Sequence, residues 1–217
     1  MNTSSDPSRL QGDFRLELNA FQHETMLPPP KRIRVIGLGN VLMGDDGFGP
    51  LTVERFHCKY ECGLNVEVID LGTPGLDLAP YLHGTDLVVI ADAVHSLEKP
   101  GALCIYCEDD LITQGAQLRL TAHDPGLVES LAHLRLAGEI PSELIIVGVV
   151  PESCEFGKPI SPAVFSASSI AVEKIAGLLV ERSVSCFRRS AALPPNLWWL
   201  LDHRSKSLAT WFTGFTS

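Results

Sequence analysis

Residues 35–50, V-I-G-L-G-N-V-L-M-G-D-D-G-F-G-P, read as a strand end, a glycine-rich turn, a loop with two adjacent carboxylates, and a helix start. Val35 and Ile36 belong to an apolar run that begins at Ile33. Gly37 and Gly39 let the backbone turn sharply and let another group approach closely. Asp45 and Asp46 follow between glycines. Pro50 is placed as the first residue of a helix, where its missing N–H costs nothing. Ligands of open α/β sheets bind beyond the carboxyl ends of the strands. This stretch therefore signals a fold class and a site at once.

Outward from it, strands and helices alternate. Ile33 to Leu38 is nearly all apolar, as expected of a buried parallel strand. Pro50 to Tyr60 reads as a helix that buries Leu51, Val53, Phe56 and Cys58. Val66 to Leu71 is a second strand, closed by Gly72-Thr73-Pro74-Gly75, and a short helix spans about 76 to 82. Leu87 to Ala91 is the most apolar strand, hence central, and runs directly into Asp92. Ala102 to Cys107 follows a short connection and is a candidate antiparallel strand. His123-Asp124-Pro125-Gly126 opens a helix to about Leu136. Leu144 to Val150 is the last strand. Ser161 is placed as the N-cap, and Pro162 as the first residue, of a long helix to about Val180. The pattern predicts a three-layer α/β domain around a mostly parallel twisted sheet.

Three regions emerge. Residues 1–30 are polar, end in a triple proline, and read as a mobile arm. Residues 31–183 form the domain. Residues 184–217 form a tail, and all three tryptophans (Trp198, Trp199, Trp211) fall there. Leu197, Leu201, Leu208, Trp211 and Phe215 lie near one helical face, opposite Asp202 to Lys206. That face suits a docking helix or, more simply, one that covers the domain's own surface.

Composition excludes several functions. With 26 acidic against 17 basic residues the net charge is −9, which disfavours a phosphate-backbone binder. No run reads as long enough to span a bilayer, and the N-terminus lacks the apolar core of a secretory signal. The six cysteines are scattered, as reduced thiols of a cytoplasmic protein. Cys104 and Cys107 fall on opposite faces of a strand, and Cys58 and Cys62 have no second pair to match. Gly37-x-Gly39 lacks the third glycine of the dinucleotide fingerprint. There is no nucleophile-elbow serine.

What remains is a metal-ligand set. Asp45 and Asp46 after the first strand, Asp92 after the third, and His123 before a helix lie on one logical edge of the sheet. Two carboxylates and one imidazole suit a borderline divalent metal such as nickel or zinc, and three protein ligands leave positions open for water or substrate. Each residue also has a plain structural reading as a turn residue or helix cap. For Asp45 the plain reading is preferred: it caps the following helix while Asp46 points outward.

The blocks G-L-G-N-x-L-x-G-D-D-G-F-G-P, D-L-G-T-P-G, V-V-I-A-D-A-V, P-G at 100–101, A-H-D-P-G-L and G-V-V-P-E occur in this order. Together they resemble the [NiFe]-hydrogenase maturation endopeptidases, over about residues 32–180. The resemblance implies a five-stranded twisted sheet between helices. It also implies removal of a C-terminal extension from the hydrogenase large-subunit precursor after nickel insertion. It assigns Asp46, Asp92 and His123 as metal-contacting and catalytic residues, with nickel arriving on the substrate and zinc or cadmium as substitute occupants. Gly72 and Thr73 are expected to shape the substrate cleft, and Asn40 and Asp45 to support the site. A monomer is expected. Two competing readings stay open. One is a non-proteolytic nickel-binding chaperone with the same ligands. The other is a peptidyl-tRNA-hydrolase-like enzyme, which shares Gly-Leu-Gly-Asn but is disfavoured by Val41 and the acidic charge.

Overall fold

The structure, a computed structural model, describes residues 32–108, 110 and 126–200. The expected arm at 1–30, His123, and the tail residues from Leu201 onward lie outside the described residues.

The apolar run that opens the domain forms β1 (Ile33–Leu38), and all six of its residues are buried. The other described strands are β2 (Tyr60–Cys62), β3 (Val66–Gly72), β4 (Leu87–Ala93), β5 (Leu103–Cys107), β6 (Glu143–Val149) and β7 (Cys186–Arg188). The five-stranded sheet has the order β3-β1-β4-β6-β5. β1 pairs parallel with β3 and β4, and β4 with β6. β5 pairs antiparallel with β6 at the edge, as its short connection allowed. The sheet is therefore mostly parallel, as the alternating pattern predicted.

Helices cover both faces. α1 (Phe48–Lys59) and α4 (Pro162–Glu181) lie on one, α2 (Ala79–Leu82) and α3 (Gly126–Ala137) on the other. Central strand β4 feeds both cores. Val89, Ala91 and Ala93 pack with Phe48, Phe56 and Ile175, whereas Val88 and Ile90 pack with Leu82, Leu131 and Leu134. A strand clad on both sides must be apolar at every position, which is why the L-V-V-I-A run is so uniform.

α1 begins at Phe48, two residues before the expected start. Pro50 is its third residue, where an N–H would still have no intrahelical acceptor. Gly49 sets how closely the helix approaches. A Cβ there would fall 2.0 Å from the Leu38 carbonyl oxygen and 2.4 Å from that of Ala91. α1 and α4 are tied by Arg55, which is buried and donates to the Phe165 carbonyl at 2.8 Å and to Ser169 Oγ at 3.0 Å. Its guanidinium lies 3.9 Å from the Phe165 ring centroid, and burial lowers its pKa to about 10. It stays charged at neutral pH, so its neighbours must satisfy a buried cation.

Two expectations need correction. α1 does not extend through Tyr60, because that residue opens β2, which pairs antiparallel with β7 in a separate two-stranded sheet. The sequence from 184 onward thus begins with a strand packed on the domain, and the main-chain bond from Leu193 N–H to the Cys58 carbonyl continues the attachment. Second, α4 is long and apolar enough to cross a membrane by length and composition alone, contrary to the reading that no run was. Its apolarity has a nearer cause, since Val164, Ala171, Ile175 and Leu179 are buried against the sheet.

Ser161 caps α4 as expected, its Oγ accepting from Val164 N–H at 3.3 Å. The same hydroxyl donates to Asp45 at 3.0 Å. Ser161→Ala is therefore expected to cost about 1–2 kcal/mol, more than a cap alone, read as a lowered denaturant midpoint with unchanged slope.

Candidate active site at the carboxyl edge of the sheet

The order β3-β1-β4 places a topological switch point between β1 and β4. The chain leaves β1 over the α1 face to reach β3 on one side. It then returns over the α2 face to β4 on the other. The crevice beyond these two strand ends is where such sheets bind ligands. Asp46 follows β1 and Asp92 lies at the end of β4, in adjacent strands held in register by Gly37 opposite Ala91.

Asp46 sits in a 3-10 turn, Gly44–Gly47, that precedes α1. It is only 2% exposed, so it does not point outward as expected. Its Oδ2 accepts from Asn40 N–H at 2.7 Å, and Asn40 Oδ1 in turn accepts from Leu42 N–H at 3.0 Å. Gly39 makes this turn possible. It has φ of +127°, and a Cβ there would fall 1.8 Å from the Asp46 carbonyl oxygen. The G-L-G-N sequence thus wraps the backbone around one acid.

Asp92 is also 2% exposed, and its Oδ1 accepts from Ala93 N–H at 2.7 Å. Strand alternation puts it on the face of Val88 and Ile90, the face covered by α3. His123 precedes α3 in the chain but lies outside the described residues. Gly72 closes β3, and its carbonyl accepts from Gly39 N–H at 2.9 Å. Gly72 is thereby joined to the turn around Asp46, with Thr73 exposed beyond it.

Asp45 has a role different from the expected one. No side-chain bond caps α1. Instead Asp45, 1% exposed, gathers the loop between β6 and α4. Its Oδ2 accepts from Glu152 N–H at 2.8 Å and Ser153 N–H at 3.3 Å as well as from the Ser161 hydroxyl. Its Oδ1 accepts from Ser161 N–H at 2.6 Å. Main-chain bonds reinforce the joint, from Asp45 N–H to the Ser153 carbonyl at 3.0 Å and from Gly157 N–H to the Leu42 carbonyl at 2.9 Å.

That loop brings in a residue the sequence reading did not select. Cys154 lies against the Asp46 backbone amide. Burial, followed by the carboxylates of Asp46, Asp45 and Asp92, pushes its thiol up to about 11. The bonds of Asp45 to this loop and the adjacency of β1 and β4 bring the two strand ends and the β6–α4 loop to one edge, with Cys154 within reach of the charge of all three acids. At neutral pH this sulfur is protonated, so it is no ready thiolate nucleophile. Its only advance signal was its place just after the G-V-V-P-E block. Exposed Leu42 and Phe156 give the same edge an apolar rim. Cys104 and Cys107 stand apart: Cys104 packs on the α3-side core, and Cys107 Sγ lies 3.0 Å from Asp110 Oδ2.

Fold and site together define a doubly wound α/β protein with two buried carboxylates at the ends of adjacent strands beside its switch point. The profile of the hydrogenase maturation protease family matches residues 50–178. The chain is 34% identical over 163 residues to the hydrogenase expression/formation protein HupD of Bradyrhizobium diazoefficiens, spanning 75% of this chain and 85% of that one. It is 32% identical to the hydrogenase 2 maturation protease of Escherichia coli over 160 residues, 74% of this chain and 98% of that one. The solved structure of the hydrogenase maturating endopeptidase HybD from Escherichia coli superposes with a TM-score of 0.68 at 34% identity, covering 73% of this chain and 98% of that one. This chain belongs to the hydrogenase maturation protease family. It is accordingly a peptide hydrolase.

Proposed function

We propose that this endopeptidase removes the C-terminal extension of a [NiFe]-hydrogenase large-subunit precursor once nickel has been inserted, and that Asp46, Asp92 and His123 contact that nickel. The observation that carries the reading is the convergence of Asp46 and Asp92 at the switch point beside Cys154. Two buried like charges so placed are stabilised by a cation between them, which offsets their desolvation. Imidazole and carboxylate donors suit nickel, and zinc or cadmium would be substitute occupants.

On this reading the metal is part of the substrate. Asp46, fixed by Asn40 N–H, and Asp92, fixed at the end of β4, orient it, while His123 supplies the nitrogen donor. A precursor without nickel offers nothing for the carboxylates to hold, so the protease distinguishes complete from incomplete substrate through that contact. Gly72 and Thr73 line the approach, and the peptide runs along the Leu42–Phe156 rim. The bound metal would polarise the scissile carbonyl or a water molecule. On the same reading the protein works in the cytoplasm as a monomer on one protein partner.

The test combines the purified chain with nickel-loaded and nickel-free precursor and follows the precursor's intact mass. Shortening of the loaded form only is expected. Equal cleavage of both would sink the recognition role of nickel. Nickel transfer to this chain without shortening would favour the chaperone reading.

A further inference from the structure

We propose that Cys62 and Cys186 form a redox-responsive dithiol whose oxidation staples the β7 segment to the end of α1. The two residues lie 124 positions apart, yet they face each other across the β2–β7 pair. Their sulfurs are 3.3 Å apart, both as free thiols.

The ladder geometry favours closure. Gly63 N–H donates to the Ser185 carbonyl on one side of the pair, and Arg189 N–H to the Lys59 carbonyl on the other. These bonds make 63/185 and 59/189 the hydrogen-bonded pairs. By alternation 62/186 is a non-hydrogen-bonded pair, in which Cα atoms approach to about 4.5 Å and side chains lie closest. That separation falls within the range a disulfide spans, so the bond forms without moving the strands.

The two thiols differ in a way that assigns their roles. Cys62 is half-buried and Cys186 buried. The hydrogen-bonding contact with Cys186 lowers the Cys62 pKa, and the Arg189 guanidinium adds to this. The same bond, together with burial, raises Cys186. Cys62 is therefore the attacking thiolate. With a low-molecular-weight disulfide such as oxidised glutathione as oxidant, the Cys62 thiolate attacks one sulfur and releases one glutathione thiolate. Cys186 then gives its proton to water and attacks the Cys62 sulfur, releasing the second glutathione. The protein loses two hydrogens, and the oxidant becomes two thiols.

The consequence is local. β7 leads into Leu193, whose N–H bonds the Cys58 carbonyl, and Asn196, whose N–H donates to Glu54 on α1 at 2.5 Å. A crosslink at 62/186 pins this whole attachment to the C-terminal end of the helix whose other end follows Asp46.

The test equilibrates the full chain in oxidised or reduced glutathione, alkylates it, and maps the peptides. In the oxidised sample two of the six thiols are expected to escape alkylation, in a single Cys62–Cys186 crosslinked peptide. The thermal midpoint is expected to rise by about 5 °C, and exchange of the Gly63 and Arg189 amides to slow. C62S and C186S should abolish both changes, and C58S should retain them. Six alkylatable thiols in the oxidised wild type, a crosslink mapped to other residues, or an intermolecular disulfide would each overturn the proposal. Wild-type mapping decides the matter even if a serine variant folds poorly.

Discussion

Asp46→Asn and Asp92→Asn are each expected to reduce precursor processing by about a hundredfold or more while leaving the chain folded. Asparagine keeps the shape and one acceptor oxygen at each position. In Asp46→Asn that oxygen still accepts from Asn40 N–H, the 2.7 Å bond that seats the side chain. In Asp92→Asn it still accepts from Ala93 N–H. What is lost is negative charge at the switch point, and with it the attraction for a cation. Stability should fall less than in Asp45→Asn, because a same-size side chain opens no cavity and the main-chain bond to each side chain is kept. Intact-mass kinetics of the precursor and a parallel thermal melt separate the two effects. Normal processing by both variants would remove these residues from the mechanism. Loss of folding in step with loss of activity would reassign them to structure.

Asp45→Asn, one position away, should behave in the opposite sense. Asp45 receives four donors: Glu152 N–H, Ser153 N–H, Ser161 N–H and the Ser161 hydroxyl. An amide has only one acceptor oxygen. Either orientation aims an NH2 group at a main-chain N–H, on the Ser161 side or on the Glu152–Ser153 side, so rotation offers no escape. Each hydrogen bond to a buried charge contributes about 1.5–3 kcal/mol, and a stranded donor adds its desolvation cost. A loss of about 3 kcal/mol or more follows, equivalent to a fall in thermal midpoint of about 6–12 °C for a chain of this size. Hydrogen exchange should quicken first at Glu152, Ser153 and Ser161. An unchanged melting temperature would show that the β6–α4 loop is held by other contacts. Residual activity of the folded fraction should stay close to wild type, which distinguishes this acid from its neighbour.

The contrast between Asp45 and Asp46 shows what a linear pattern can and cannot say. Two adjacent acids between glycines announce a site; the sequence reading prefers Asp46 as the ligand with Asp45 as a helix cap, and the family resemblance points to Asp46 as well. Nothing local revealed that Asp45 would reach residues 107 to 116 positions away. Nor did anything local reveal that Asp46 would be buried. Cys154 was just as silent: a thiol in a loop is unremarkable until that loop closes over three carboxylates.

By itself, the sequence determined the five strands of the main sheet, the helices around them and their order, but not the β2–β7 pair. Apolar runs of strand length, helical spacing, the Ser161-Pro162 cap and the short link before β5 are properties of neighbouring residues. The chain expresses them wherever it is placed. It also put acids just after β1 and at the end of β4, and strand direction then sends both to one edge. Only the tertiary structure decided which groups meet there. The burial of Asp46 and Asp92, the loop gathered by Asp45, the seating of Cys154 and the facing of Cys62 with Cys186 all join residues far apart in the chain. Such pairings depend on how the sheets and helices share volume, and periodicity carries no record of that.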